Sequence, residues 1–233
     1  MPAIRPAYVL SLLIILGWII GVIGDLTTVC PAFPSGLACD TATFYMAQYN
    51  LLVVNYHNYF QLFTSILVTD VVIDAAFNAI AVLILDRFAS DSFNYTRYFA
   101  IFFGSALLGN VITLLWGPEY ISAGASGGIF GLYAAVFSFA WAEEKRIDAT
   151  TLAIFALIFF TSSFLLPNVN WLAHLGGSIG GFIAGPLLYL ALRPKLASYS
   201  PNLDSTLMSK IVTALVLIVL TVASAVQFLV FAL

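Results

Sequence analysis

From Tyr8 to Ile23 the chain runs without one charged side chain, and long, mostly apolar stretches recur along its whole length. These stretches are continuous rather than alternating, so they predict helices and not strands. Their length sets the environment. Hydrophobic residues make up 62% of the chain and charged residues 8%, with a mean hydropathy of +1.03. A soluble domain carries about 25% charged residues, and this chain has no such coat. Its outer surface must face lipid, where every backbone polar group has to be satisfied inside the structure. The expected fold class is therefore all-α, a polytopic membrane bundle.

A span needs about 20 apolar residues. Seven spans are expected, near 7–24, 59–86, 97–116, 126–142, 149–166, 170–192 and 207–231. Pro118, Pro167 and Pro194 fall between them, where helices stop. Trp116, Trp141 and Trp171 fall near span ends, as interfacial aromatics do. The first run resembles a secretory signal, but Gly24-Asp25-Leu26 is a poor cleavage site, so it is read as a membrane helix. With seven spans, Arg5, Arg87, Arg97, Lys145, Arg146, Arg193, Lys195 and Lys210 all fall on one side. The positive-inside rule then predicts a multi-pass cell-membrane protein with a cytoplasmic N-terminus and an outside C-terminus. The division expected is a six-helix core over 1–206, with an outside loop at 25–58, and an additional helix over 207–233. That loop carries Cys30 and Cys39, which form a disulfide or remain two thiols. The net charge of -3 and the lack of basic patches give no sign of a nucleic-acid partner. No His/Cys/Glu cluster has metal-ligand spacing, so no metal or cofactor is expected.

Two short segments carry the chemistry. Gly124-Ala125-Ser126-Gly127-Gly128 matches a G-x-S-x-G pattern, without the strand that this pattern follows in soluble hydrolases. Small residues of this kind also serve simply to pack membrane helices. His174 changes the balance. An ionisable residue within a membrane helix is a functional candidate, whereas His57, the other histidine, lies in the loop with no obvious partner. A helix from Ser126 to Trp141 spans roughly 24 Å, short of a hydrocarbon core of about 30 Å, so Ser126 lies below the surface. His174 lies about 27 Å from the far end of its own helix, at a similar level. Residues 117–125 must then descend as irregular backbone, tolerated only where protein buries it or water fills a cavity. Glycines gather in the same two segments: 124, 127, 128 and 131, then 176, 177, 180, 181 and 185. Close helix approach of this kind is what a Ser–His hydrogen bond needs.

With these residues in place the chain resembles the rhomboid family of intramembrane serine proteases, in its six-plus-one form. Gly124-Ala125-Ser126-Gly127 is similar to the family's G-x-S-G at the start of the fourth helix. Ala173-His174, with Gly177 and Gly181, is similar to its A-H-x-x-G-x-x-x-G in the sixth. Phe63-Thr64-Ser65 and Asn78 resemble the ends of its second-helix motif. The resemblance implies a Ser126–His174 dyad, with Ser126 the nucleophile and His174 the general base and then acid. It also implies Asn78 and the Ser126 backbone N–H as oxyanion donors, and Phe130 packing on the histidine where the family often has Tyr. Transmembrane proteins are the implied substrates; oligomeric state is left open.

There are departures. Asp74 and Thr69 stand where the family's second helix usually has histidines, and the common Trp-Arg pair of the first loop is missing. Asp74 is protonated, points elsewhere, or orients His174. Asp70, Asp74 and Asn78 recur at four-residue spacing, so they share a helix face as a polar wall toward a cavity or as a hydrogen-bonded seam. Counting from Asp86 leaves Asn78 only about 12 Å from the inner end, which predicts a helix continuing past Arg87. The alternatives to a protease are a non-catalytic rhomboid-like protein that binds and guides membrane proteins, and a small transporter.

Overall fold

The computed structural model describes residues 4–27, 42–69, 71–142 and 169–192. The expected spans at 149–166 and 207–231, the C-terminal unit 207–233, Asp70, Cys30 and Cys39 lie outside the described residues.

Helix α1 (Pro6–Thr27) begins with a proline, whose missing N–H is one the first turn would leave unpaired anyway. Its Tyr8, Leu12, Leu16, Ile20 and Ile23 form an exposed stripe, while Leu10 and Ile14 are buried against the bundle. After it come short elements: α2 (Ala42–Met46), β1 (Gln48–Tyr49), α3 (Asn50–Asn55) and α4 (Gln61–Thr64). The described part of the expected loop 25–58 is thus built from hydrogen-bonded structure. Strand β1 pairs antiparallel with β2 (Ile121–Ser122), in the register Gln48 to Ser122 and Tyr49 to Ile121. This two-stranded ribbon is a small correction to an all-α expectation.

The expected span 59–86 is not one helix. Helix α4 ends at Thr64, residues 65–67 form a turn, Val71 is extended, and α5 runs from Val72 to Ser92. Two causes are visible. Ile66, Val68, Thr69, Val71 and Val72 crowd β-branched side chains that disfavour helix. The carbonyls that would continue the helix are also taken from outside it. Leu62 O accepts from Asn110 Nδ2 at 2.8 Å, and Ser65 O accepts from the Gly124 N–H at 2.8 Å. Helix α5 does continue past Arg87. Asn78 therefore sits roughly 9 Å from its start and roughly 21 Å from its end. Asp86, expected at the end of a span, lies inside this helix with its side chain only 6% exposed, and Arg5 Nη1 reaches its Oδ2 at 3.1 Å.

Helix α6 (Tyr95–Thr113) is capped by Asn94, whose Oδ1 accepts from the Arg97 N–H. It tightens into a 3₁₀ turn (Leu114–Trp116) and stops at Gly117, where φ is +114°. Helices α7 (Ser126–Ala142) and α8 (Trp171–Leu192) lie close to the expected boundaries. Three described segments, Pro6–Leu26, Tyr95–Trp116 and Trp171–Leu192, are long and apolar enough to cross a membrane; α7 is shorter.

Helices α6, α7 and α8 form the packed centre. A Cβ placed on Gly177 would strike the Gly127 carbonyl, and one on Gly181 would strike that of Gly131. At Gly128 it would meet Phe102, and at Gly109 the Ala173 carbonyl. Backbones this close leave no room for side chains, and each glycine supplies that room. Replacing Gly181 by Val is expected to destabilise the bundle by about 2 kcal/mol or more in detergent unfolding. Gly104→Ala is the control. A Cβ there meets nothing within 4 Å, so that variant is expected to be neutral or stabilised by up to ~1 kcal/mol.

Candidate active site

Residues 117–125 carry the chain from the end of α6 to Ser126, and several of their backbone groups have partners. Asn50 Nδ2 donates to the carbonyls of Thr113 and Gly117, both at 2.9 Å. The N–H groups of Asn50 and Leu51 donate to the carbonyls of Tyr120 and Pro118. Burial and the neighbouring Glu119 push the Tyr49 hydroxyl above its ordinary pKa, a sign of how closely this loop lies against β1. Ser122 sits in the ribbon with Gln48, and the Gly124 N–H is held by Ser65 O. The irregular descent to Ser126 is thus tied to β1 and α3 by hydrogen bonds along an outer side that stays exposed, and it becomes buried only at Ala125.

Gly124 has φ +122°, and a Cβ there would lie 3.1 Å from Asp74 Oδ2. Both the conformation and the approach of the carboxylate call for glycine. Ser126 follows as the first residue of α7 and is half-buried. The Ile129 N–H already donates to Ala125 O at 3.2 Å. The N–H groups ahead of it in the first turn have no intrahelical acceptor, and they carry the positive end of the helix dipole.

His174 lies one turn into α8 and is 2% exposed. Its Nε2 is 2.8 Å from Ser126 Oγ. With Nε2 unprotonated, the serine O–H donates to it, as a nucleophile does to its base. The Phe130 and His174 ring centroids lie 4.4 Å apart, with the planes tilted by 46°. Glycines 124, 127, 128, 131, 177 and 181 occupy the close approaches around this pair.

Asn78 is buried on α5, one turn beyond Asp74. Its Nδ2 donates to no acceptor among the described residues. A buried amide N–H kept in this state is costly unless a ligand or reacting group completes it. Asp74 is half-buried with its carboxylate against Gly124, in the loop leading to the serine. Thr69 has a local role, its Oγ1 accepting from the Val71 N–H at 3.2 Å. His57 is away from the pair, in the left-handed region at φ +58°, its Nδ1 3.0 Å from the Tyr59 hydroxyl. No group of three or more metal-ligating side chains occurs among the described residues.

Sequence reasoning missed a set of buried amides around the site: Gln48, Asn50, Gln61, Asn110 and Asn170. Gln48 Nε2 donates to Asn110 O and Asn50 Oδ1, and Asn110 Nδ2 donates to Ser65 Oγ as well as to Leu62 O. Asn110 was the visible signal, an amide well inside an apolar span.

Comparison with known proteins places this chain in a family. The family model described as Rhomboid domain matches residues 56–191, more than half of the chain. The chain is 31% identical over 173 residues to the putative rhomboid protease YdcA of Bacillus subtilis, covering 72% of this chain and 83% of that protein. It is 28% identical over 172 residues to the rhomboid protease GluP of the same organism, covering 72% of this chain but only 33% of GluP. It is also 28% identical over 153 residues to RHOMBOID-like protein 1 of Arabidopsis thaliana, covering 64% of this chain and 39% of that protein. The matched region holds α4 to α8, with Asn78, Ser126 and His174 in it, and the chain is a multi-pass membrane protein that belongs to the rhomboid family.

Proposed function

We propose that this protein is a serine endopeptidase that cuts peptide bonds in or near the transmembrane segments of other membrane proteins. The observation that carries the proposal is the 2.8 Å contact between Ser126 Oγ and His174 Nε2 at the protein-buried end of an irregular loop. In the proposed reaction His174 takes the serine proton as Oγ attacks the scissile carbonyl. The oxyanion that forms is met by the Asn78 amide and the Ser126 backbone N–H. His174 then returns its proton to the leaving amine, and an acyl-Ser126 ester remains. Water, deprotonated by His174, adds to the ester carbon. Collapse of that second intermediate expels Ser126, which regains its proton, and frees the new carboxyl terminus. Each step uses groups of this chain and water.

The similarity to GluP, a rhomboid protease, and to YdcA, a putative one, supports this chemistry. A transmembrane substrate fits a site built among helices. Seven spans, with a cytoplasmic N-terminus and an outside C-terminus, are part of the proposal and follow from the one-sided placement of Lys and Arg. The competing reading, a non-catalytic relative that binds membrane proteins, gains weight only from Asp74. The first turn of α5 favours a carboxylate there through the helix dipole, and that charge would oppose a nearby oxyanion.

Purified protein in detergent is expected to cleave a single-span model substrate and to label at Ser126 with a fluorophosphonate. Ser126→Ala and His174→Ala are expected to lower the rate by about 10⁴ or more. A wild type that neither cleaves several substrates nor takes the label would give the case to the binding protein. Asn78→Ala is expected to lower kcat by about 10²–10³ with little change in KM. Asp74→Asn, which removes the opposing charge, is expected to raise kcat; a fall would mean that the carboxyl group itself assists the oxyanion.

A further inference from the structure

We infer that Asn170 is a positioning residue that fixes the His174 helix against the Ser126 loop; the inference rests on the Ser126–His174 chemistry proposed above. Asn170 stands directly ahead of α8 and is only 9% exposed. Both ends of its amide are used. Oδ1 accepts from the Ala173 N–H at 3.0 Å, capping the helix that carries His174. Nδ2 donates to Thr113 Oγ1 at 2.7 Å and to Ser122 Oγ at 2.8 Å.

These partners belong to three different segments. Ala173 precedes the histidine, Thr113 is the last residue of α6, and Ser122 lies in β2, four residues ahead of Ser126. Thr113 is itself oriented. Its hydroxyl donates to Gly109 O at 2.9 Å, so a lone pair is left for the amide. Ser122 is held from its other side by backbone pairing with Gln48. One side chain thus joins the loop that delivers the nucleophile to the start of the helix that delivers the base.

Capping alone does not call for this residue. Serine caps a helix about as well as asparagine but has no second arm to reach Thr113 and Ser122. The two donated bonds are therefore separable from the cap. The Ser–His contact depends on the relative placement of two segments, and misplacement by about 1 Å can cost about 100-fold in rate.

The test uses the full-length protein in detergent, the single-span substrate, kcat and KM measured separately, a fluorophosphonate labelling rate, and thermal unfolding. Asn170→Ser is expected to keep the unfolding temperature within about 2 °C and KM within about twofold. Its kcat and labelling rate are expected to fall about 10- to 100-fold. Ser122→Ala removes one bond without touching the cap and stays informative if Asn170→Ser folds poorly. It is expected to lower kcat severalfold at unchanged stability, and the double variant is expected to be no slower than Asn170→Ser alone. Wild-type kcat in Ser122→Ala and Asn170→Ser overturns the inference, as does a loss that tracks the unfolding temperature. A wild type that is itself inactive and unlabelled overturns the protease proposal, and this inference with it.

Discussion

Helices in lipid gain nothing by hiding apolar surface from water, so they must hold one another through close packing and hydrogen bonds. The contact between α7 and α8 is the extreme case in this protein. Gly127 faces Gly177 and Gly131 faces Gly181 so closely that a Cβ on the second of each pair would collide with the first one's carbonyl. The Ser126–His174 contact lies at one end of this seam, one residue ahead of Gly127 and three ahead of Gly177. The distance of 2.8 Å is inherited from the approach of two backbones, and two short side chains then need little further adjustment. Bulk added at Gly177 or Gly181 acts on chemistry as well as on stability for this reason.

A second constraint concerns the segment that reaches the serine. Helices close their own hydrogen bonds, but residues 117–125 do not. Around them the protein places amide side chains, which can donate and accept at once. Asn50 takes one carbonyl at the end of α6 and one at the start of the descending chain, Gln48 and Asn110 tie the ribbon to α6, and Asn170 ties the loop to α8. Buried polar groups of this density are stabilising only when nearly all are paired. Gln48 Oε1 is without a partner among the described residues, but Asn78 differs in that its donor is the unused group there, and it lies on the helix facing the candidate site.

The features legible in the sequence were those set by local or short-range rules. Long apolar runs gave α1, α6, α7 and α8 within a few residues, since length and hydrophobicity fix a span. Ser126 and His174 stood out because a histidine is rare at depth and a glycine cluster surrounded both. The break between α4 and α5 was not legible. It depends on Asn110 and Gly124 capturing the carbonyls of Leu62 and Ser65 from 48 and 59 residues away. The ribbon was missed for a related reason: two-residue strands have no pattern, and their pairing is fixed by the loops at either end. The role of Asn170 was hidden because an asparagine at a helix start reads as an ordinary cap.

Asp74 shows how these constraints meet. It occupies the first turn of α5, where a carboxylate is favoured, and its Oδ2 lies 3.1 Å from where a Cβ on Gly124 would stand, at a positive φ that favours glycine. The fold thus brings the acid against the loop whose backbone leads to the nucleophile. In the proposed reaction a negative charge near the oxyanion would make little sense if rate alone mattered, because it would weaken that transition state. It makes sense if the carboxylate also holds the loop. Gly124 would then be fixed from one side by Ser65 O and from the other by Asp74, and Ser126 would be placed at the cost of some electrostatic assistance. Placement and charge are separable at this position, because asparagine keeps the size and hydrogen-bonding reach of the side chain while removing its charge.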